Sequence, residues 1–243
     1  MCTILIWHQQ WEEAPLVVAC NRDEALGRPS APPEVREIGG RRCLAPRDLQ
    51  AGGTWMGVND AGVFVGITNR FGSEPDPSRE SRGAVVAEAL GYGSSVEALA
   101  QLEQVDPRRF NPFHLVVADR SGGGILVSEG ETLRREPLAR GLSMVTERSF
   151  QSEVSGRETL LRTLVGEVSE SAQAPSDAAL RSILGRHGET GFNSVCVHED
   201  DLGYGTLSSA ILRLGSGPGE LEFLSCDGPP CTSLYQPFSF KLA

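Results

Sequence analysis

A chain of 243 residues with 40% apolar and 22% charged residues has the material for a sizeable core, in one large domain or two small ones. The formal net charge of -10 excludes a nucleic-acid or anionic-membrane surface, which needs clustered Lys and Arg, and Arg41-Arg42 and Arg108-Arg109 are isolated pairs. No run approaches the roughly 18 apolar residues of a membrane-spanning helix, and the N-terminus lacks the pattern of a secretory signal, so a cytoplasmic, soluble protein without a membrane span is expected.

In chain order, Thr3 to Trp7 reads as a strand and Leu16 to Cys20 as its hairpin partner, joined by a polar stretch that ends at Pro15. Asn21-Arg22-Asp23-Glu24 follows, and the hairpin would bring this tetrapeptide back alongside Cys2. Four polar residues after a buried strand also read as an exposed turn. Gly27-Arg28-Pro29 and Ala31-Pro32-Pro33 mark an extended loop. Residues 54 to 69 form a hairpin about Asn59-Asp60-Ala61-Gly62, where Asn and Asp tolerate left-handed backbone and Gly closes the turn.

Gly83 to Leu90 and Ser95 to Leu102 have helical spacing, the second with Ser94 or Ser95 as cap and Glu97 near its positive end. Phe113 to Asp119 and Gly124 to Ser128 are strands about a Ser-Gly turn, and Leu142 to Thr146 is a further strand. Two more helices span about Glu158 to Val168 and Asp177 to Arg186, the latter capped by Ser176 and stopped by Gly188. Ser194 to His198, Ser208 to Leu214 and Leu221 to Leu224 close the chain as strands. Hairpin-linked strands with helices inserted in pairs favour stacked antiparallel sheets covered by helices, in a single domain over residues 1–243.

The chemistry centres on Cys2. If Met1 is removed, one residue carries both a thiol and a free amine, the nucleophile and a base for its proton. Arg22 would favour the thiolate, Asp23 would accept a hydrogen bond from the α-ammonium, and the Asn69 amide would donate to an oxyanion. Each has a plain reading beside it: Cys at position 2 is common without a role, and Asn69 also suits a strand end.

Other signals carry less. Of Cys2, Cys20, Cys43, Cys196, Cys226 and Cys231, none forms a C-x-x-C, and the nearby His residues lack zinc-finger spacing, so thiols and no metal are expected. Cys20 and Cys196 sit in apolar runs and read as core residues. His198-Glu199-Asp200-Asp201 reads as a solvated turn, because consecutive residues do not converge on one ion. Ser121-Gly122-Gly123-Gly124 joins two strands and lacks the following helix of a phosphate loop. No carboxylate is evidently placed to orient His8 or His114, and no G-x-S-x-G occurs.

Several motifs taken together resemble a known family. Met1-Cys2-Thr3-Ile4, Ala19-Cys20-Asn21-Arg22-Asp23-Glu24, Gly52-Gly53-Thr54-Trp55-Met56-Gly57, Ile67-Thr68-Asn69, the run from Asn111 to Asp119, Gly141-Leu142-Ser143 and Tyr204-Gly205-Thr206 occur in the order of the NRDE family, also called transport and Golgi organization protein 2-like. That family is similar to N-terminal nucleophile hydrolases of the penicillin V acylase and choloylglycine hydrolase type. The resemblance implies an α+β, four-layer αββα sandwich of two mainly antiparallel sheets and cleavage of a non-peptide C–N amide bond without a cofactor. It also implies Cys2 as nucleophile and base, Arg22 beside it, Asp23 or Glu24 as the acidic partner, and Asn69 at the oxyanion.

Two positions depart from the family. Met144 stands where Asn is usual and matches a catalytic-site Asn of the acylases, and Leu207 stands where Arg is common. A thioether donates no hydrogen bond and Leu carries no charge. An alternative is therefore a non-catalytic carrier of a hydrophobic ligand, haem or an acyl-lipid, with Met144 and Leu207 lining its pocket. The partner is then a small-molecule amide or a hydrophobic ligand.

Overall fold

The computed structural model describes residues 2–72, 74–148, 156–189 and 191–243. Met1, whose removal the Cys2 mechanism requires, lies outside the described residues. Strands β1 (Cys2–His8) and β2 (Leu16–Ala25) form the expected hairpin. The chain continues through β3 (Ser30–Ile38), β4 (Arg41–Asp48), β5 (Met56–Asn59) and β6 (Phe64–Asn69), then helices α1 (Gly83–Ala89) and α2 (Ser95–Leu102). Next come β7 (Phe113–Ala118), β8 (Gly123–Ser128), β9 (Leu133–Pro137) and β10 (Gly141–Thr146), then α3 (Gly156–Ser169) and α4 (Asp177–Leu184). Strands β11 (His198–Glu199), β12 (Tyr204–Leu214), β13 (Leu221–Asp227) and β14 (Gln236–Pro237) complete it.

Two antiparallel sheets result. The first runs β10-β1-β2-β12-β13-β14, with β11 also paired to β12, and the second runs β3 to β9 in sequence order. Period-two alternation gives each sheet two apolar faces, and each face has a partner. The inner faces meet at Ile4, Ile6, Val18, Met56, Phe64 and Val116. The outer face of the second sheet takes α1 and α2 through Val85, Val86, Leu99 and Leu102. The outer face of the first takes α3 and α4 through Leu161, Val165, Leu180 and Ile183 against Leu5, Trp7 and Trp11. The layers are αββα, the expected α+β sandwich.

Local chemistry sets several boundaries as expected. The Ser94 hydroxyl accepts from the Glu97 N–H to start α2, and Ser176 caps α4 in the same way. At the β5–β6 turn, the Asn59 side-chain Oδ1 accepts from the Ala61 and Val63 N–H groups, and Gly62 takes φ +80°. The Asn59 amide crosses to the Leu90 and Tyr92 carbonyls and so fastens the turn to the end of α1.

Other boundaries differ. Asn21-Arg22-Asp23 is not an exposed turn: β2 runs on through it, buried, because β12 pairs along the other side with Ser209 opposite Asn21 and Thr206 opposite Asp23. The proline-rich loop is partly strand. Residues 30–38 pair with β4, and the register shift between Ala31 and Glu34 accommodates Pro32 and Pro33, which lack N–H donors. Helix α4 ends at Leu184 with Gly185 as its cap, earlier than the expected stop at Gly188. Ser194 to His198 is not a strand. Only His198 and Glu199 pair with β12, while the Val195 and Cys196 N–H groups turn to the Arg186 carbonyl. Among the described residues, no helix is long and apolar enough to cross a membrane.

Candidate active site

Cys2 lies directly opposite Arg22 in the β1–β2 pair, with Thr3 opposite Asn21 and Ile4 opposite Cys20. Alternation places Cys2, Ile4, Cys20 and Arg22 on the inner face, and Thr3, Asn21 and Asp23 on the face toward α3 and α4. Ile4 and Cys20 in the inter-sheet core, and Leu5 and Ala19 in the outer core, fix this phase.

Half-buried Cys2 and buried Arg22 line a chamber of about 110 Å³ between the sheets, walled by apolar groups that include Ile4, Trp55 and Phe64. Arg22 is 5% exposed. Its guanidinium lies 4.2 Å from the Trp55 ring centroid, and its Nη1 donates to Ser30 Oγ at 3.2 Å. Burial lowers the Arg22 pKa, while the charges of Cys2, Glu24 and Asp48 act the other way. Burial also raises the Cys2 thiol, against a backbone hydrogen bond from Asp23 that lowers it. A thiol whose pKa burial raises thus sits beside a desolvated cation held by an aromatic face, and removing the thiol proton would pair the two charges.

Asp23 belongs to a buried network on the other face. Its carboxylate accepts from Arg157 Nη1 at 2.9 Å and from Thr206 Oγ1 at 2.7 Å, and its backbone carbonyl accepts from the Tyr204 hydroxyl at 2.8 Å. Arg157 Nη1 also reaches Thr3 Oγ1 at 3.3 Å and Glu147 Oε2 at 3.6 Å. The Asn21 amide donates to the Leu184 and Val195 carbonyls, tying the corner to the end of α4. Glu24 is half-buried in Arg22's strand phase, with Oε1 accepting from the Ala25 N–H.

Asn69, at the end of β6, does not line the chamber. It lines a neighbouring polar cleft of about 450 Å³ together with Arg82, Glu80 and Asn111, and the two spaces share Arg22, Trp55 and Ile67. Burial lowers the Arg82 pKa and the Cys2 charge opposes that shift, so a second guanidinium lies within electrostatic reach of the thiol. Neither Met144 nor Leu207 lines the chamber. Met144 packs into the outer core beneath α3 and α4, and the Leu207 carbonyl accepts from the Gly228 N–H.

Cys2 and Arg22 thus come together as expected, Asp23 joins from the opposite face, and Asn69 stands in the adjoining cleft. Trp55, Arg82, Arg157 and Thr206 were not anticipated as parts of this corner. Trp55 and Thr206 lie in motifs shared with the resembled family, while nothing in the local sequence marks Arg82 or Arg157. His8 and His114 are both buried and line no part of the chamber. His187, Cys196, His198 and Cys231 cluster elsewhere.

Two antiparallel sheets lie between helix layers, with Cys2 opening an interior strand, and this αββα sandwich is shared with solved hydrolases. An N-acylethanolamine-hydrolyzing acid amidase ortholog from Caenorhabditis elegans shares the fold with a TM-score of 0.61 at 12% identity, covering 87% of this chain and 92% of that one. A mutant of conjugated bile acid hydrolase from Clostridium perfringens does so with a TM-score of 0.62 at 11% identity, covering 100% and 98%. The chain belongs to the family Transport and Golgi organisation 2, which it matches over residues 1–224. It is 27% identical to the Transport and Golgi organization 2 homolog of Mus musculus over 184 residues, covering 70% of this chain and 63% of that protein. The Bos taurus homolog is 26% identical over 244 residues, covering 86% and 84%.

Proposed function

We propose that the chain is an N-terminal cysteine amidohydrolase that cleaves a non-peptide C–N bond of a small acylated amide through an acyl-thioester on Cys2. The observation that carries this reading is the pairing of Cys2 with Arg22 at the wall of an apolar chamber that opens beside a polar cleft. The acyl tail would enter the chamber and the amine portion would rest in the cleft.

In the first half-reaction the Cys2 amine takes the thiol proton and sulfur attacks the carbonyl carbon, forming the C–S bond while the carbonyl electrons move to oxygen. Arg22 stabilises the thiolate, and the Asn69 amide is the proposed donor to the oxyanion. Collapse breaks the C–N bond, and the departing amine takes the proton from the α-ammonium. In the second half-reaction the amine deprotonates water, which attacks the thioester, releases the carboxylic acid and restores the thiol. Asp23 is the proposed anchor of the α-ammonium. Asp23 adjoins Arg22, the residue that pairs with Cys2, so its carboxylate is the acidic group next to the end of β1. The resemblance to fold neighbours named as an acid amidase and a bile acid hydrolase supports the same chemical class.

Purified protein offered N-acyl amides of increasing chain length should release amine, with a preference for short acyl groups and no turnover in Cys2→Ala. Amine release that survives Cys2→Ala would remove Cys2 from the reaction.

A carrier of an acyl chain is the second reading, favoured by the apolar wall and by the raised thiol pKa of Cys2. A chamber of about 110 Å³ suits a short acyl tail better than a haem, since pockets for larger ligands run to about 300–1,000 Å³. Saturable binding of an N-acyl amide that remains intact on long incubation would select this reading.

A further inference from the structure

Away from the chamber, the fold gathers a second constellation from three separate segments. His187 follows α4, Cys196 lies just before β11 and His198 opens it, and Cys231 lies in the turn after β13. Their ligand atoms all fall within 4.8 Å of one another. Cys196 Sγ lies 3.5 Å from His198 Nε2 and 3.5 Å from Cys231 Sγ, and His198 Nε2 lies 3.2 Å from Cys231 Sγ. The His187 and His198 rings stack with centroids 5.1 Å apart.

We propose that His187, Cys196, His198 and Cys231 form a structural zinc site. A disulfide needs about 2.05 Å between sulfurs, so the thiols stand at non-bonded distance. Tetrahedral zinc, with Zn–S about 2.3 Å and Zn–N about 2.0 Å, sets its ligand atoms about 3.3–3.8 Å apart along the edges. The closest pairs here are near that spacing already. Two thiolates and two neutral imidazoles balance the charge of Zn²⁺, and the two thiol protons pass to solvent on binding. Thiolate and imidazole together select zinc over magnesium or calcium, which prefer oxygen donors. Four protein ligands leave no open position for water, which makes the site structural rather than catalytic.

The backbone beneath the cluster is constrained to hold it. The Arg186 carbonyl accepts from both the Val195 and Cys196 N–H groups, at 3.0 and 2.9 Å, which fixes Cys196 beside His187. Gly185 lets the Cys231 turn settle on the end of α4, since a Cβ there would stand 3.2 Å from Cys231 Cα. The segment between the ligands also supports the nucleophile corner. The Val197 N–H donates to Thr206 Oγ1 at 2.8 Å, Thr206 Oγ1 donates to Asp23, and the Val195 carbonyl accepts from Asn21. Zinc would therefore fasten the outer layer to the back of the Asn21–Asp23 strand. This inference does not depend on the chain being a hydrolase.

The test uses the full chain, purified without chelator or histidine tag, with metal content read by plasma mass spectrometry. About one zinc per chain is expected, and replacement by Co²⁺ should give the intense visible absorption of a tetrahedral thiolate site. Cys231→Ser and His198→Ala alter exposed side chains, so both variants should fold, as circular dichroism would verify. Each should weaken zinc affinity at least about 100-fold, and zinc should raise the Tm of the parent only. Substoichiometric zinc unchanged in the variants, an octahedral Co²⁺ spectrum, or a Cys196–Cys231 disulfide in protein purified under reducing conditions would each overturn the proposal.

Discussion

Arg22 stands directly across β1–β2 from Cys2, and its guanidinium is clamped 4.2 Å over Trp55. The cation is therefore positioned by two sheets at once, one through the backbone ladder and one through the aromatic face. Arg22→Gln should raise the apparent pKa for alkylation of Cys2 by about one unit and slow alkylation near neutral pH about tenfold. Trp55→Leu should move both in the same direction by less. Peptide mapping of iodoacetamide-treated protein across pH reads the effect, and an unchanged profile in Arg22→Gln would detach the two residues.

The Asp23–Arg157 pair is buried at 0% and 2% side-chain exposure. Removing one partner leaves a desolvated charge, so Arg157→Met should lose about 3 kcal/mol of stability by urea unfolding. Adding Asp23→Asn to that variant should recover part of the loss, because the stranded carboxylate is gone. Additive losses in the double variant would argue that the two charges do not interact.

Acid should weaken the fold through His114. Burial, with Arg70 and Arg134 nearby, pushes its pKa down to about 4, against about 6.5 in an unfolded chain. Between those values the unfolded chain binds a proton that the folded one refuses, so stability is complete above the unfolded pKa. It is lost as pH falls toward 4, by up to about 3 kcal/mol. His114→Gln should flatten that slope in urea titrations across the window.

Filling the chamber should separate stability from ligand use. Ala210 is 4% exposed, lies opposite Cys20 and lines the chamber. Ala210→Val should stabilise the protein by about 1 kcal/mol while weakening use of longer acyl groups. Unchanged acyl-length dependence would place the acyl tail elsewhere.

Much of this corner was legible because it is local. The β1–β2 hairpin follows from two apolar runs and a turn, and it delivers Arg22 to Cys2 unaided. The buried state of Asn21 to Asp23 was not legible, because β12 covers them from nearly two hundred residues away in sequence. Strand β3 was hidden by Pro32 and Pro33, which the sheet accommodates at a register irregularity. Cys196 read as a core residue, and it is buried. Its proximity to His187, His198 and Cys231 comes from a helix end, a strand approach and a distant turn meeting in space. Met144 read as an altered site wall, yet strand phase turns it into the outer core. A one-residue change of phase moves a side chain to the other face of a sheet, and motif order alone does not determine that phase.

The proposed N-terminal nucleophile is Cys2. Intact-mass measurement on protein expressed without an N-terminal tag, before and after an activated acyl donor, tests it directly. Loss of Met1 and a single acyl adduct that peptide mapping assigns to residue 2, absent in Cys2→Ala, are expected. Active protein that retains Met1, or an adduct formed equally in Cys2→Ala, would contradict it.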